Sequence, residues 1–210
     1  MKTDLTDITL VVDRSGSMSQ VKSDAEGGIN EFILAQAQLP GEANITLVQF
    51  DTEYEFLYKG IPIKEAPSFE LVPRGMTALL DAIGRAMHET DARISRMNQQ
   101  DRPSLVVFVI MTDGYENASG EFSKDQIKRL IRQFQGEQDW KFTFLGADQD
   151  AFAEAHKIGI RSGATAAFSK SNVANAFRGT CSMVQRMRSQ VKEGKRARTE
   201  FTDEERNSMK

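Results

Sequence analysis

The sequence predicts a doubly wound α/β fold, with an open, mostly parallel sheet, helices on both faces and one antiparallel edge strand. Two observations predict this class. Apolar runs of strand length alternate with longer segments of helical period, and two of these runs lead to an aspartate, Asp13 and Asp113. The chain of 210 residues, 40% hydrophobic and 27% charged, has the size and composition of one globular core.

The first 63 residues predict a strand, a helix and a hairpin. A buried apolar run predicts a strand over 7–13, and apolar residues at helical spacing predict a helix from residue 21 to the Pro40-Gly41 break. Two β-rich segments, 44–51 and 54–63, are separated by two polar residues that suit a tight turn. We therefore expect the antiparallel edge strand here.

Strands and helices continue to alternate through the rest of the chain. The predicted elements are a helix from Thr77, a strand over Ser104–Thr112, a helix that Ser123 caps and that runs to about Gln135, a strand over Trp140–Leu145, a short helix over Asp150–Lys157, a strand over Ala164–Phe168 and a helix over about Ser171–Gln190. We assign residues 1–190 to one domain. Residues 191–210 form a tail, basic and then acidic, in which Thr202 and Glu205 have capping-box spacing, so we expect either a flexible segment or a short helix.

Composition narrows the expected partners and compartment. The net charge of −3 gives the whole chain no attraction to nucleic acid or to an anionic membrane, and no apolar run approaches the roughly 20 residues that span a bilayer. The first residues lack the pattern of a signal peptide, and the single cysteine, Cys181, cannot form an internal disulfide. We expect a cytoplasmic protein that binds neither nucleic acid nor membrane, and its oligomeric state stays open.

The segment after the first predicted strand has the chemistry of a cation site. Asp13, Ser15 and Ser17 place one carboxylate and two hydroxyls at alternating positions of a turn, in which Gly16 permits tight backbone geometry. Asp113 follows a second strand, and α/β sheets bind ligands outside the carboxyl ends of their strands. Oxygen ligands suit hard divalent cations such as Mg²⁺. The sequence therefore points to a cation site at this edge of the sheet.

Three segments occur in a characteristic order: DRSGS at 13–17, RGMTAL at 74–79 and VIMTDG at 109–114. They resemble, in turn, the DxSxS signature, the threonine-bearing glycine loop and the apolar strand ending in TDG of von Willebrand factor A (vWA) domains. The resemblance extends over roughly Thr6 to Gln190. It implies a Rossmann-like vWA fold with a metal-ion-dependent adhesion site.

The resemblance also implies a ligand set and a function. The implied metal ligands are Asp13, Ser15, Ser17, Thr77 and Asp113. Mg²⁺ is the expected ion, with Mn²⁺ or Ca²⁺ as alternatives, and the cation would coordinate a Glu or Asp of another protein. This implies a metal-dependent binding or scaffolding module and no enzyme. The chain resembles small intracellular A domains, such as the TerY-like proteins of bacterial tellurium-resistance systems.

Each implied ligand also has a purely structural interpretation. Ser15 and Ser17 could belong to a polar turn with a helix cap near Ser19. Thr77 could cap the helix that follows it, and Asp113 could stabilise a turn before a glycine.

Other polar residues near the predicted site are left out of the ligand set. Asp51 ends a strand and Glu116 follows Asp113 closely, so either could support the ligands without binding the metal, but we interpret both as solvated or turn-stabilising residues. His88 and His156 are assigned surface or packing roles, and Cys181 is assigned to helix packing.

A metal-dependent phosphohydrolase is the alternative function, because strand-end aspartates with Mg²⁺ also support phosphoryl transfer. Phosphatases of the haloacid dehalogenase type carry a second aspartate two residues after the first. Here that position is Ser15, and no general base is evident nearby. A nucleotide-binding regulator would need a phosphate-binding glycine loop, which the sequence lacks. We therefore favour binding over catalysis.

Overall fold

The computed structural model describes residues 2–147 and 150–209. The strands are β1 (Lys2–Asp13), β2 (Glu42–Phe50), β3 (Tyr54–Pro62), β4 (Pro103–Thr112), β5 (Lys141–Ala147) and β6 (Thr165–Phe168). The helices are α1 (Lys22–Gln38), α2 (Leu79–Ser95), α3 (Lys124–Glu137), α4 (Ala151–Lys157), α5 (Val173–Lys192) and α6 (Asp203–Ser208). Each strand and helix predicted for the domain is present, with ends shifted by a few residues.

The six strands of the described residues form one sheet in the order β3-β2-β1-β4-β5-β6. β1 pairs in parallel with β2 and β4, β5 and β6 continue the parallel arrangement, and β3 runs antiparallel to β2 at the edge. This confirms the predicted mostly parallel α/β sheet with one antiparallel edge strand. β1 begins at Lys2, earlier than the predicted Asp7, because the polar first residues pair with β4 although they form no apolar run.

Both faces of the sheet are covered, as the near-continuous apolar strands require. In β4 the side chains alternate between two hydrophobic clusters, with Val107 and Val109 in one and Phe108 and Ile110 in the other. Helices α1 and α5 contribute to the first cluster, and α2, α3 and α4 contribute to the second. None of the helices in the described part of the chain is long and apolar enough to cross a membrane.

The segment after α5 packs against the first of these clusters. Phe201 and Met209 are buried in it, whereas the charged side chains of the basic run 192–198 are exposed. Arg206 donates hydrogen bonds at 2.8 Å to the carbonyl oxygens of Ser162, Gly163 and Thr165. A capping box of Thr202 and Glu205 begins α6, as their spacing predicts.

Candidate metal centre

The strand register brings the two predicted aspartates to the same edge of the sheet. Val12 of β1 lies opposite Met111 of β4, so the next residues, Asp13 and Thr112, are also neighbours. The Thr112 hydroxyl donates a 2.6 Å hydrogen bond to Asp13 Oδ2, and Asp113 follows directly in the chain. The carboxyl ends of adjacent parallel strands therefore carry both acids.

The turn after β1 adds two hydroxyls to the aspartates. The Ser15 amide donates to Asp13 Oδ1 at 2.6 Å, which folds the turn back over the strand end. Ser15 Oγ and Ser17 Oγ lie 3.1 Å apart, and the Ser17 hydroxyl donates to Asp113 Oδ1 at 2.5 Å. The side chain of Ser15 makes no capping hydrogen bond, although it precedes the short 3₁₀ helix Gly16–Gln20. The alternative helix cap near Ser19 is not formed either, because the Ser19 hydroxyl donates to the Gly16 carbonyl and no side chain of the described residues caps α1.

Thr77 completes the group from a third loop. An ideal Cβ placed on Gly114 would lie 3.2 Å from Thr77 Oγ1, 3.5 Å from Ser17 Oγ and 3.8 Å from Ser15 Oγ. Three hydroxyls thus surround one point beside the two carboxylates. The structure brings together all five residues of the predicted ligand set.

The loop that follows β4 fixes the position of Thr77. Asn117 Oδ1 accepts a hydrogen bond from the Thr77 amide at 2.9 Å, and the Asn117 amide donates to the Thr77 carbonyl at 3.0 Å. Helix α2 begins after Ala78, so Thr77 is not its N-cap. Instead, the Leu80 amide donates to Glu116 Oε2 at 3.0 Å, which makes Glu116 a cap supplied from another loop. Neither contact was predicted from the sequence, because each joins positions about 40 residues apart.

Asp13 is fully buried, and its electrostatic environment disfavours a bare carboxylate. Loss of hydration raises the pKa of Asp13 from 3.8 to about 6, although hydrogen bonds from Thr112 and Ser15 oppose the change. The nearby charge of Asp113 raises this pKa further. A positive charge placed between the two carboxylates would therefore be stabilised.

The donor set fits a hard divalent cation. All five side chains offer oxygen atoms, and two carboxylates with three hydroxyls match the preference of Mg²⁺ and similar ions for oxygen ligands. The described residues contain no group of three or more His, Cys, Asp or Glu side chains placed to hold a metal. The predicted site has only two such side chains, Asp13 and Asp113, because its other three ligands are hydroxyls.

A comparison with models of protein families matches most of this sequence to one family. The model of the von Willebrand factor type A domain matches residues 7–180, most of the chain. The chain belongs to the von Willebrand factor type A family. A comparison with curated protein sequences returned no match.

Solved vWA-like structures share the fold of this vWA domain at low sequence identity. Proximal thread matrix protein 1 of the mussel byssus, with a zinc-occupied MIDAS motif, has a TM-score of 0.59 at 15% identity, over 88% of this chain and 47% of that one. The manganese-loaded TRAP protein of Plasmodium vivax has a TM-score of 0.60 at 16% identity, over 86% and 74%. The pilus adhesin SpaC of Lactobacillus rhamnosus GG has a TM-score of 0.65 at 15% identity, over 89% and 31%.

Two of these neighbours are much longer than the present chain. The present chain spans less than half of the mussel protein and less than a third of the pilus adhesin. At these identities the likeness shows the vWA fold alone.

Gly114 provides a local test of the vWA site. Valine at Gly114 should lower Mg²⁺ affinity by about tenfold, because its Cβ and methyl groups would crowd the Thr77 and Ser17 hydroxyls. The matched control is Gly120→Val in the same loop, where an added Cβ meets no atom within 4 Å. Isothermal titration with Mg²⁺ measures both variants. Equal affinities in the two variants would place the cation elsewhere.

Proposed function

We propose that this vWA domain is a cation-dependent protein-binding module, in which Asp13, Ser15, Ser17, Thr77 and Asp113 hold a divalent cation that binds an acidic group of a partner. The observation that carries the proposal is the convergence of three hydroxyls beside two strand-end carboxylates. Mg²⁺ is the proposed ion. The zinc and manganese named for two structural neighbours support divalent cations as a class.

The composition of the site favours binding of an anion. Two carboxylates balance the charge of a divalent cation, whereas neutral hydroxyls leave it able to attract a further negative group. Asp13, Ser15 and Thr77 are buried and Ser17 and Asp113 are half-buried, so one side of the group faces solvent. A Glu or Asp side chain from another protein is the proposed occupant of that side.

Exposed apolar side chains beside the ligands support a protein partner. Met76, which precedes Thr77, is 54% exposed, and Tyr115, which follows Gly114, is 61% exposed. Large apolar side chains at a rim exclude water from a central polar contact when a partner binds. We propose that they contact the partner around its acidic residue.

Capture of a partner in the presence of Mg²⁺ tests the proposed function. Immobilised wild-type protein should retain a partner from a lysate of the native cell, and chelation with EDTA or the Thr77→Ala variant should reduce its recovery by about tenfold or more. Ser19→Ala is the matched control, because the Ser19 hydroxyl lies on the same loop and donates to the Gly16 carbonyl. Quantitative mass spectrometry of the eluates measures recovery. A partner retained equally in EDTA would contradict the proposal.

Catalysis is not part of the proposal. Ser15 stands where a phosphatase of the haloacid dehalogenase type would carry its second aspartate, and its hydroxyl lies against Ser17. Turnover of phosphate esters by wild-type protein, lost in an Asp13 variant, would support the phosphohydrolase instead. We also propose a cytoplasmic location, because the single cysteine forms no internal disulfide.

A further inference from the structure

A buried arginine connects the serine turn to the β2–β3 hairpin. Arg14 stands between the predicted ligands Asp13 and Ser15, and its side chain is 4% exposed. Its Nε donates to Asp51 Oδ2 at 3.0 Å, and its Nη1 donates to Glu55 Oε2 at 2.6 Å. The position of the serine turn is thus linked to acids on a neighbouring strand pair.

The loop that carries Thr77 reaches the same carboxylate oxygen. Arg74 Nε donates to Asp51 Oδ2 at 2.8 Å, and Arg74 Nη2 donates to Glu53 Oε2 at 2.5 Å. Asp51 Oδ2 therefore accepts hydrogen bonds from two guanidinium groups, one from each loop that supplies hydroxyls to the metal centre.

Backbone contacts join the same three segments. The Arg74 amide donates to the Arg14 carbonyl at 2.8 Å, and the Gly16 amide donates to the Gly75 carbonyl at 3.2 Å. Directly after Thr77, the Ala78 amide donates to the Asp51 carbonyl at 2.9 Å. Gly75 has a φ of +68°, and an ideal Cβ on it would lie 3.2 Å from Asp51 Cβ, so the loop passes close to this aspartate.

This buried network of charges is expected to add little to the free energy of unfolding, because its groups lose their hydration. Asp51 is 1% exposed, and Arg14 Nη2 is buried with no hydrogen-bond partner among the described residues. Burial opposes ionisation of Asp51, but the Glu53 amide and the guanidinium groups of Arg74 and Arg14 outweigh it and lower its pKa. A buried ion pair often contributes little net stability, whereas it fixes geometry.

We propose that Asp51 is a positioning residue for the metal centre, which holds the serine turn and the Thr77 loop at the spacing that the cation requires, through Arg14 and Arg74. The inference rests on the proposed cation site. Mg²⁺ demands near-ideal octahedral geometry, and neutral hydroxyls attract it weakly unless they are held in place. Loss of the Asp51 charge should therefore weaken cation binding although Asp51 is no ligand.

A second Asp–Arg pair, between Asp7 of β1 and Arg93 of α2, supplies a matched control. Asp7 is 1% exposed and accepts hydrogen bonds at 2.8 Å from both terminal nitrogens of Arg93. It lies six residues before Asp13, roughly 20 Å along the strand. Asp7→Asn therefore breaks a comparable pair far from the metal centre.

The experiment compares Asp51→Asn with Asp7→Asn by isothermal titration with Mg²⁺ and by urea unfolding in EDTA. Both variants should unfold at lower urea concentration than wild type. Only Asp51→Asn should lose Mg²⁺ affinity, by roughly 10- to 100-fold, as is typical when a residue that orients metal ligands is removed. Asp7→Asn should bind Mg²⁺ within about twofold of wild type.

A pair of milder variants covers the case in which Asp51→Asn fails to fold. Arg74 and Arg85 have side chains that are 52% and 42% exposed, and each pairs with acids, Arg74 with Asp51 and Glu53 and Arg85 with Glu121. Arg74→Met should lower Mg²⁺ affinity by about threefold or more, and Arg85→Met should leave it unchanged.

The outcomes separate this inference from the function on which it rests. Wild-type Mg²⁺ affinity in Asp51→Asn or Arg74→Met, or an equal loss in Asp7→Asn, would overturn the positioning role and leave the cation site standing. Wild-type protein that binds no Mg²⁺ would overturn both.

Discussion

Replacement of Asp13 by asparagine should lower the affinity for Mg²⁺ and Mn²⁺ on the order of 100-fold or more and leave the metal-free fold intact. Asparagine keeps the shape of the side chain but removes one of the two negative charges beside the hydroxyls. Asp13 is fully buried and burial raises its pKa to about 6, so the amide avoids the cost of burying a charge. The amide oxygen can still accept from the Ser15 amide, and the Thr112 hydroxyl can accept from the amide nitrogen instead of donating. Isothermal titration with each ion, and urea unfolding in EDTA, measure the two effects.

Asp125→Asn is the matched control for this substitution, because Asp125 is an exposed aspartate in the first turn of α3. It should bind both ions as wild type does. An Asp13→Asn variant that keeps wild-type affinity would show that Asp13 is not part of the cation site. A variant that unfolds without metal would instead assign Asp13 a structural role.

Replacement of Phe201 by alanine should lower the free energy of unfolding by about 3 kcal/mol, the usual loss when a buried aromatic side chain is removed. Phe201 is 6% exposed, and its amide donates to the Gly163 carbonyl at 3.0 Å. Its ring packs in the cluster that α1 and α5 cover, and the Arg206 guanidinium lies 5.6 Å from its centroid. Urea unfolding of the full chain measures the change.

Phe152→Ala is the matched control, because Arg206 also lies over that ring but Phe152 is 37% exposed. It should cost under about 1 kcal/mol. Equal stabilities of Phe201→Ala and wild type would show that the segment after α5 does not stabilise the domain. Phe201→Ala should keep the wild-type affinity for Mg²⁺, because the contacts of Phe201 given above are with Gly163 and Arg206 and not with the metal centre.

The fold was predictable because its strongest signals are local. A buried strand in a parallel sheet is apolar on both faces, so the second half of β1 and most of β4 are visible as nearly continuous apolar runs. The helix cap predicted at Ser123 and the capping box predicted from Thr202 and Glu205 depend on residues close in sequence, and both are present. The start of β1 was placed too late because its first residues form no apolar run, although the backbone of Lys2 pairs with Pro103 of β4.

The sequence could group the five residues of the predicted ligand set because short segments carry them, but it could not show which residues hold them in place. Asp51 was weighed as a residue that supports the ligands but was interpreted as solvated or turn-stabilising. It does stabilise its turn, since it accepts a 2.5 Å hydrogen bond from the Glu53 amide, but it is buried and not solvated. Its partners Arg14 and Arg74 lie 37 and 23 residues away. Such pairing depends on how three loops meet at one end of the sheet, which no spacing along the chain reveals.

His88 and Cys181 have the structural roles that their positions in predicted helices indicated. His88 is exposed and its ring lies 5.9 Å from that of Phe122, which confirms a surface or packing role. Cys181 is half-buried, and its sulfur accepts a hydrogen bond from Gln36 at 3.3 Å, which confirms packing between α1 and α5.

Paramagnetic broadening by Mn²⁺ in the amide NMR spectrum of the wild-type protein tests the cation site most directly, because a bound Mn²⁺ ion broadens the signals of nearby nuclei. At low Mn²⁺ the signals of Ser15, Gly16, Thr77 and Gly114 should disappear first, whereas those of Gly136 and Gly194 should persist. Excess Mg²⁺ should restore the lost signals by competition. Broadening that begins elsewhere, or that Mg²⁺ does not reverse, would contradict a divalent cation site formed by Asp13, Ser15, Ser17, Thr77 and Asp113.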